Sequence, residues 1–305
     1  MAVILGVIGF GENPSACLLV DGKLHSFCQE ERLTRLKHSN GMFPKNAIKW
    51  CLHDAGLNLQ DVIKIAFAWD AKQYPKAMLF NYARQYLKFF GASARSYRHP
   101  SPNADVSNKV YALETLFNYT PSILKTKIRD CLRSIGLAGE IPPIDFLPHH
   151  LCHAYSTYFC SGFQNSIVLT IDGSGENKCT QIAIAEGDQI REIKSFDIPH
   201  SLGWFYAAIT AYMGFIPYRD EGKLMGLAAL GESRSSNNPW VERFEKFVKI
   251  GPGWYEIDPT FTKFGGHFYH PGYTDSLVKF ITSLDPEMPP ISYGEKVENN
   301  SIRMS

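Results

Sequence analysis

Ile167-Val168-Leu169-Thr170-Ile171-Asp172-Gly173-Ser174-Gly175-Glu176-Asn177 echoes, at a fixed offset of 164 residues, the chain's opening, Val3-Ile4-Leu5-Gly6-Val7-Ile8-Gly9-Phe10-Gly11-Glu12-Asn13. Both apolar runs read as strands, and Gly9, Gly11, Glu12 and Asn13 recur as Gly173, Gly175, Glu176 and Asn177. Each copy leads into a second strand, a turn of glycine with an acidic residue (Asp21-Gly22; Glu186-Gly187-Asp188), and a third strand. A repeat of this length is a duplicated β-β-β subdomain and not a solenoid unit. Each glycine-rich first turn can turn backbone N–H groups toward an anion. Two such turns across a cleft would make a nucleotide or phosphate site, whereas one alone reads as an ordinary hairpin.

The unbroken run Ile167 to Ile171 predicts a buried strand, with the Asp172 carboxylate at its C-terminal edge, where open α/β sheets place ligands. Upstream stands Leu147-Pro148-His149-His150-Leu151-Cys152-His153. His149 and His153 are four apart, so on a helix they share a face. Paired imidazoles on one helical face can grip one metal ion. With Asp172 they form a 2-His-1-carboxylate set, which suits non-haem iron or zinc. The competing reading is that these are structural histidines.

Between the repeats, the Asp21-Gly22 hairpin joins Ser15–Val20 to Lys23–Gln29. Pro44 to Ala55 predicts a helix burying Ala47, Ile48, Cys51, Leu52 and Ala55, closed by Gly56. Val62 to Trp69 is a strand, Pro75 to Phe90 and Tyr111 to Ile135 are helical, and Ile144 to Leu147 delivers the histidine helix. Ser201 to Gly214 is a helix capped by Ser201; its aromatics Trp204, Phe205, Tyr206 and Tyr212 belong to the core. The aromatic segment Phe80 to Phe90 is a dimer surface or core.

The 305 residues allow one large domain or two ordinary ones. A formal charge of +1 gives no electrostatic reason to expect nucleic acid. Seven cysteines without a Cys-x-x-Cys pair point to a reducing compartment, with Cys152 and Cys160 as small core residues. No apolar run reaches membrane-spanning length. A soluble, cytoplasmic protein is expected, with no membrane partner.

The duplicated plan resembles the actin, sugar-kinase and chaperone-ATPase superfamily: α/β, with two lobes and ligands between them. The lobes would be residues 1–165, carrying the histidine helix, and 166–305, the second incomplete. A more specific resemblance is to the O-carbamoyltransferases of the nodulation-factor, cephamycin and aminoglycoside families. It rests on Ile4-Leu5-Gly6 with Ser15-Ala16, Gln29-Glu30-Glu31-Arg32-Leu33-Thr34-Arg35-Leu36-Lys37-His38 and Phe43-Pro44-x-Asn46-Ala47-Ile48. It rests equally on His149-His150-x-x-His153-Ala154, Asp172-Gly173-x-Gly175-Glu176, Ser201-Leu202-Gly203 and Glu221-Gly222-Lys223-Leu224-Met225-Gly226-Leu227-Ala228.

That resemblance implies a carbamoyl-adenylate, made from carbamoyl phosphate and ATP in a C-terminal domain, and transfer of the carbamoyl group to a small-molecule hydroxyl. It implies an iron-type metal on His149, His153 and Asp172, with zinc as the other candidate and a further ligand beyond Ser305. His150 would be a base or oxyanion donor, or a support for its neighbours. Gly173, Gly175 and Glu176 would face the nucleotide. Arg32, Arg35, Lys37 and His38 would face the adenylate or acceptor, or form a solvated loop. Lys223 would contact a phosphate, with Glu221 holding it or meeting the acceptor. Where relatives carry a His-Asp pair before the Ser-Ala turn, this chain has Glu12-Asn13-Pro14. The adenylate-forming domain is absent from the sequence, so the chain is a fragment or a second chain supplies that domain. Two other functions stand beside transfer: an ATPase or sugar kinase of the same superfamily, and a non-catalytic binding module.

Overall fold

The computed structural model describes residues 1–77, 79, 118–231, 239–258, 260–262 and 272–291. Most of the helix expected over Pro75 to Phe90, the start of that over Tyr111 to Ile135, and the tail lie outside the described residues. Among the described residues the chain forms two units, one of residues 1–77 and 118–156, the other continuing from 157.

In the first unit, strands β1 (Val3–Ile8), β2 (Ser15–Val20) and β3 (Lys23–Gln29) make an antiparallel meander. Alternation sets its inner face: Val3, Leu5 and Val7 of β1 and Ala16 and Leu18 of β2 are buried. Asp21 and Gly22 both take positive φ, 48° and 77°, as a two-residue hairpin matched to the strand twist requires. Gly6 is needed because a β-carbon there would meet the Cys17 Sγ at 2.5 Å. A short helix α1 (Glu30–Thr34) follows, then α2 (Lys45–Asp54), whose stripe of Ala47, Ile48, Cys51 and Leu52 is buried. Strand β4 (Val62–Phe67) pairs in parallel with β1. Helix α3 (Pro121–Arg133) buries Leu124, Ile128 and Leu132, and β5 (Ile144–Phe146) pairs in parallel with β4. The sheet order is β3-β2-β1-β4-β5, and its apolar face shares one core with α2 and α3. Helix α4 (His149–Tyr158) leaves from the end of β5.

The second unit opens on another antiparallel meander: β6 (Asn165–Ile171), β7 (Lys178–Glu186) and β8 (Gln189–Asp197). Helices α5 (Leu202–Tyr212) and α6 (Glu221–Ala228) follow, then α7 (Pro239–Phe244), the hairpin β9 (Val248–Gly251) and β10 (Trp254–Ile257), and α8 (Asp275–Leu284). Their core gathers on Tyr212, Phe247, Leu277 and Ile281, with the rings of Phe247 and Phe261 4.0 Å apart.

The expectation of a wholly buried strand over Ile167–Ile171 is corrected. Val168 and Thr170 are buried, but Ile167, Leu169 and Ile171 are 74%, 57% and 53% exposed. Four of the five residues are apolar and the polar one, Thr170, is on the buried face, so the run carries no period-2 signal for which face lies open. Cys160 is also exposed and not core, and all seven cysteines are free thiols.

Glu30 ties the first unit together. It is 0% exposed, and its carboxylate accepts from the Asn46 and Ala47 N–H groups and from Asn46 Nδ2 at 2.7–3.2 Å. These donors lie at the start of α2, where backbone N–H groups lack helical partners and the dipole favours a negative charge. Glu30→Ala strands three donors and is expected to lower the unfolding free energy by about 3 kcal/mol. Glu140→Ala at the exposed surface should change it by less than about 0.5 kcal/mol; urea melts of both variants check this.

Candidate metal centre

Parallel pairing aims the histidine helix. Leu147 N–H donates to the Phe67 carbonyl at 2.9 Å, extending the β4–β5 ladder to the foot of α4. His149 and His153 then stand one turn apart, with their Nε2 atoms 2.9 Å from each other, ring centroids 4.4 Å apart and planes at 87°. Two imidazole nitrogens this close need something electropositive between them, either a shared proton or a cation. Cis ligands at about 2.1 Å from one octahedral ion lie about 3.0 Å apart, whereas tetrahedral ligands lie about 3.4 Å apart. The pair is spaced as a shared proton or a single divalent cation would hold it.

The rings are held from behind. Trp69 packs edge-on against His149, centroids 5.1 Å apart, and against Tyr74 at 5.0 Å. Its Nε1 is buried without a hydrogen-bond partner among the described residues, a defect costing about 1–3 kcal/mol. His150 is 1% exposed and sits edge-on to His149 and His153 at 5.8 and 6.3 Å. It is off the shared face of its two neighbours, as the spacing predicts.

Asp172 belongs to the second unit and closes β6. Its N–H donates to the Cys179 carbonyl at 2.9 Å, and its Oδ1 accepts from Gly173 N–H at 2.6 Å. Gly175 N–H donates to the Lys178 carbonyl. The expected anion cradle at this turn is thereby corrected: the Gly173 and Gly175 N–H groups are spent inside the turn. Glu176 is buried. The turn is packed against the start of α5. Ser201 Oγ donates to the Gly173 carbonyl and accepts from Trp204 N–H, so one hydroxyl caps the helix and fastens the turn. A β-carbon on Gly203 would lie 2.5 Å from Gly173 N and 2.7 Å from the Asp172 carbonyl. Burial pushes the Cys179 thiol far up, so it stays protonated near neutrality and is a packing group, not a thiolate ligand.

In the first unit the basic run surrounds a strained clasp. Arg35 and Lys37 are exposed, and the Arg32 guanidinium lies 3.7 Å from the Glu31 carboxylate. Arg35, His38 and Ser39 take positive φ (60°, 63°, 42°), as do Phe10 and Asn13 of the β1–β2 loop (65°, 50°). The two loops lock through Phe10 N–H to the Met42 carbonyl, Gly41 N–H to the Gly11 carbonyl and Asn13 N–H to the His38 carbonyl. His38 Nδ1 lies 2.9 Å from Asn13 Oδ1, and its Nε2 is buried without a partner among the described residues. Sequence reasoning gave no role to Asn13 or Trp69. The repeat marked Asn13 as special, and no local signal marked Trp69.

Lys223 is half-exposed and paired to Asp220 at 3.0 Å, not to Glu221. Glu221 instead accepts from Tyr218 N–H. The expectation that Glu221 holds Lys223 fails because the (i, i+3) spacing reaches Asp220. Burial alone would push the Asp220 carboxyl up; hydrogen bonds from Arg219, Lys223 and Ile216 N–H outweigh it and hold it at about 2, against an ordinary 3.8. A depressed folded-state value stabilises the fold above the unfolded value and loses that stabilisation as pH falls from about 4 through 2. Asp220→Asn should cost about 2 kcal/mol at pH 7, with the gap to the native chain closing toward pH 2 in urea melts across pH.

The sequence matches the family described as "Carbamoyltransferase N-terminus" over residues 3–257. Among curated relatives, the uncharacterized protein sll1178 of Synechocystis sp. is 34% identical over 77% of this chain and 35% of its own. Nodulation protein NolNO of Sinorhizobium fredii is 31% identical over 79% of this chain and 30% of its own. The chain thus spans about a third of the length of these relatives. Of solved structures, YeaZ from Pseudomonas aeruginosa aligns with 66% of this chain and 68% of its own at 14% identity and a TM-score of 0.31. The Aquifex aeolicus Ppx/GppA phosphatase aligns with 95% of this chain and 82% of its own at 11% identity and 0.32. With the family's motifs running through nearly all of its described length, the chain belongs to the carbamoyltransferase N-terminal family.

Proposed function

We propose that this chain is the acceptor-side portion of an O-carbamoyltransferase, holding a divalent ion, iron or alternatively zinc, on His149, His153 and Asp172. The observation that carries this reading is the His149–His153 pair, Nε2 to Nε2 at 2.9 Å. Family membership supports the transferase class. When bound, the ion supplies Lewis acidity toward a carbonyl or phosphate oxygen.

The donor in this proposal is carbamoyl-adenylate, made from carbamoyl phosphate and ATP by a C-terminal domain or a second chain. The acceptor is a hydroxyl of a small molecule. Transfer forms a bond from the hydroxyl oxygen to the carbamoyl carbon, breaks the bond from that carbon to the phosphate oxygen, and releases the hydroxyl proton. His150, packed against both ligand rings, holds their planes or donates to the developing oxyanion. In this proposal Arg32, Arg35 and Lys37 face the adenylate phosphate. Lys223 and Glu221 meet the phosphate and the acceptor. The architecture proposed is the duplicated actin-like one. Its support is the recurrence of the meander, and of a glycine turn overlaid by a helix start: a β-carbon on Gly9 would lie 3.0 Å from Pro44, and one on Gly173 3.1 Å from Trp204. No described helix is long and apolar enough to cross a membrane; the proposed setting is the cytoplasm.

Titration calorimetry with Fe(II) and Zn(II) tests the ligand set. His149→Ala, His153→Ala and Asp172→Asn are each expected to weaken binding by about 100-fold or more; three unchanged affinities would remove the proposed site. A carbamoylated acceptor gains about 43 mass units by covalent arithmetic. With carbamoyl-adenylate as donor and an aminoglycoside, a cephem alcohol and a chito-oligosaccharide as acceptors, mass spectrometry should show that gain. A gain of about 80 from ATP would mark a kinase, and no gain a binding module.

A further inference from the structure

The clasp in the first unit contains an imidazole to which the proposed reaction has so far given no work. Five of the seven non-glycine residues with positive φ among the described residues lie in its two loops: Phe10, Asn13, Arg35, His38 and Ser39. Such clustering of strained backbone marks functional sites. The strain is imposed by specific bonds. His38 N–H donates to Glu31 Oε2 at 2.7 Å, and its carbonyl accepts from Asn13 N–H at 3.2 Å. The ring is aligned as well: Nδ1 donates to Asn13 Oδ1 at 2.9 Å. An amide oxygen accepts and does not donate, so the proton sits on Nδ1 and the lone pair on Nε2. That Nε2 is buried and has no hydrogen-bond partner among the described residues. A base whose tautomer is set by a third group is the general arrangement for taking a proton from a hydroxyl.

We propose that His38, oriented by Asn13, is the proton acceptor for the hydroxyl that receives the carbamoyl group. This rests on the transferase reading above. The O–H bond breaks and its proton goes to His38 Nε2. The oxygen's electron pair forms the bond to the carbamoyl carbon, and the bond from that carbon to the adenylate's phosphate oxygen breaks, AMP leaving with the electron pair. The imidazolium then returns its proton to solvent. Asn13 is a positioning residue: it acts only through His38.

Two measurements on the full chain test this. Long-range proton–nitrogen NMR of histidine-labelled protein should show His38 protonated on Nδ1, with Asn13→Leu moving it to a tautomer mixture. A native His38 protonated on Nε2 overturns the proposal whatever the activity. With carbamoyl-adenylate supplied and the acceptor panel above, His38→Gln should lower kcat about 100-fold or more while the acceptor KM and Fe(II) stoichiometry hold within about twofold; Asn13→Leu should lower kcat less. An active native chain with an equally active His38→Gln variant sinks this proposal and spares the transferase reading. A folded, metal-loaded native chain that carbamoylates none of the acceptors sinks both.

Discussion

A carboxylate with no access to water sits at the start of a helix, and most of the first unit's chemistry is arranged around it. Glu30 is an anion that burial would penalise heavily if it stood alone. Three N–H donors from Asn46 and Ala47 compensate it, and in turn it supplies acceptors to a helix end that lacks its own cap: Pro44, at the cap position, makes no side-chain bond. Breaking either side leaves the other uncompensated, so β3, α1 and α2 are bound as one piece. The loop between α1 and α2 has both ends fixed by this bond. That loop holds three non-glycine residues at positive φ, tied to the β1–β2 loop by the Asn13 N–H to His38 carbonyl bond.

The second unit solves a similar problem with a hydroxyl. Ser201 is both cap and fastener, joining the start of α5 to the Asp172-Gly173 turn, and Gly203 permits an approach that any side chain would block. In each unit a helix start lies over the first glycine of the repeated turn. Close packing explains the glycines at 9 and 173. At 173 the N–H is already spent on the neighbouring carboxylate.

Much of this was legible in the sequence, and the divide is physical. β2 and β3 have the boundaries that the Asp-Gly turn and the apolar alternation specify, and the buried stripe of α2 follows from period 3.6. These signals are local. The open face of β6 was not legible, because a strand this apolar looks the same whether covered on one side or two. Nor was the Lys223 partner, because Asp220 and Glu221 are both acidic and only geometry chooses between them. The His38–Asn13 bond joins residues 25 apart and depends on five unusual φ values, none of which composition records. The histidine pair was legible because helical spacing alone puts His149 and His153 together.

The proposed metal set has an electrostatic consequence that spacing does not reveal. His149 and His153 lie in the first two turns of α4, near the positive end of the helix dipole. Two neutral imidazoles there offer a cation lone pairs but no charge, and the helix end opposes it. In the proposed site an anionic ligand would supply the charge that the imidazoles lack. Asp172→Asn removes that charge with little change of shape. It is expected to weaken a divalent ion at least as much as loss of either imidazole, although each histidine contributes a donor of equal rank. Gly203 and Ser201 fix the backbone around Asp172 by close packing within the second unit.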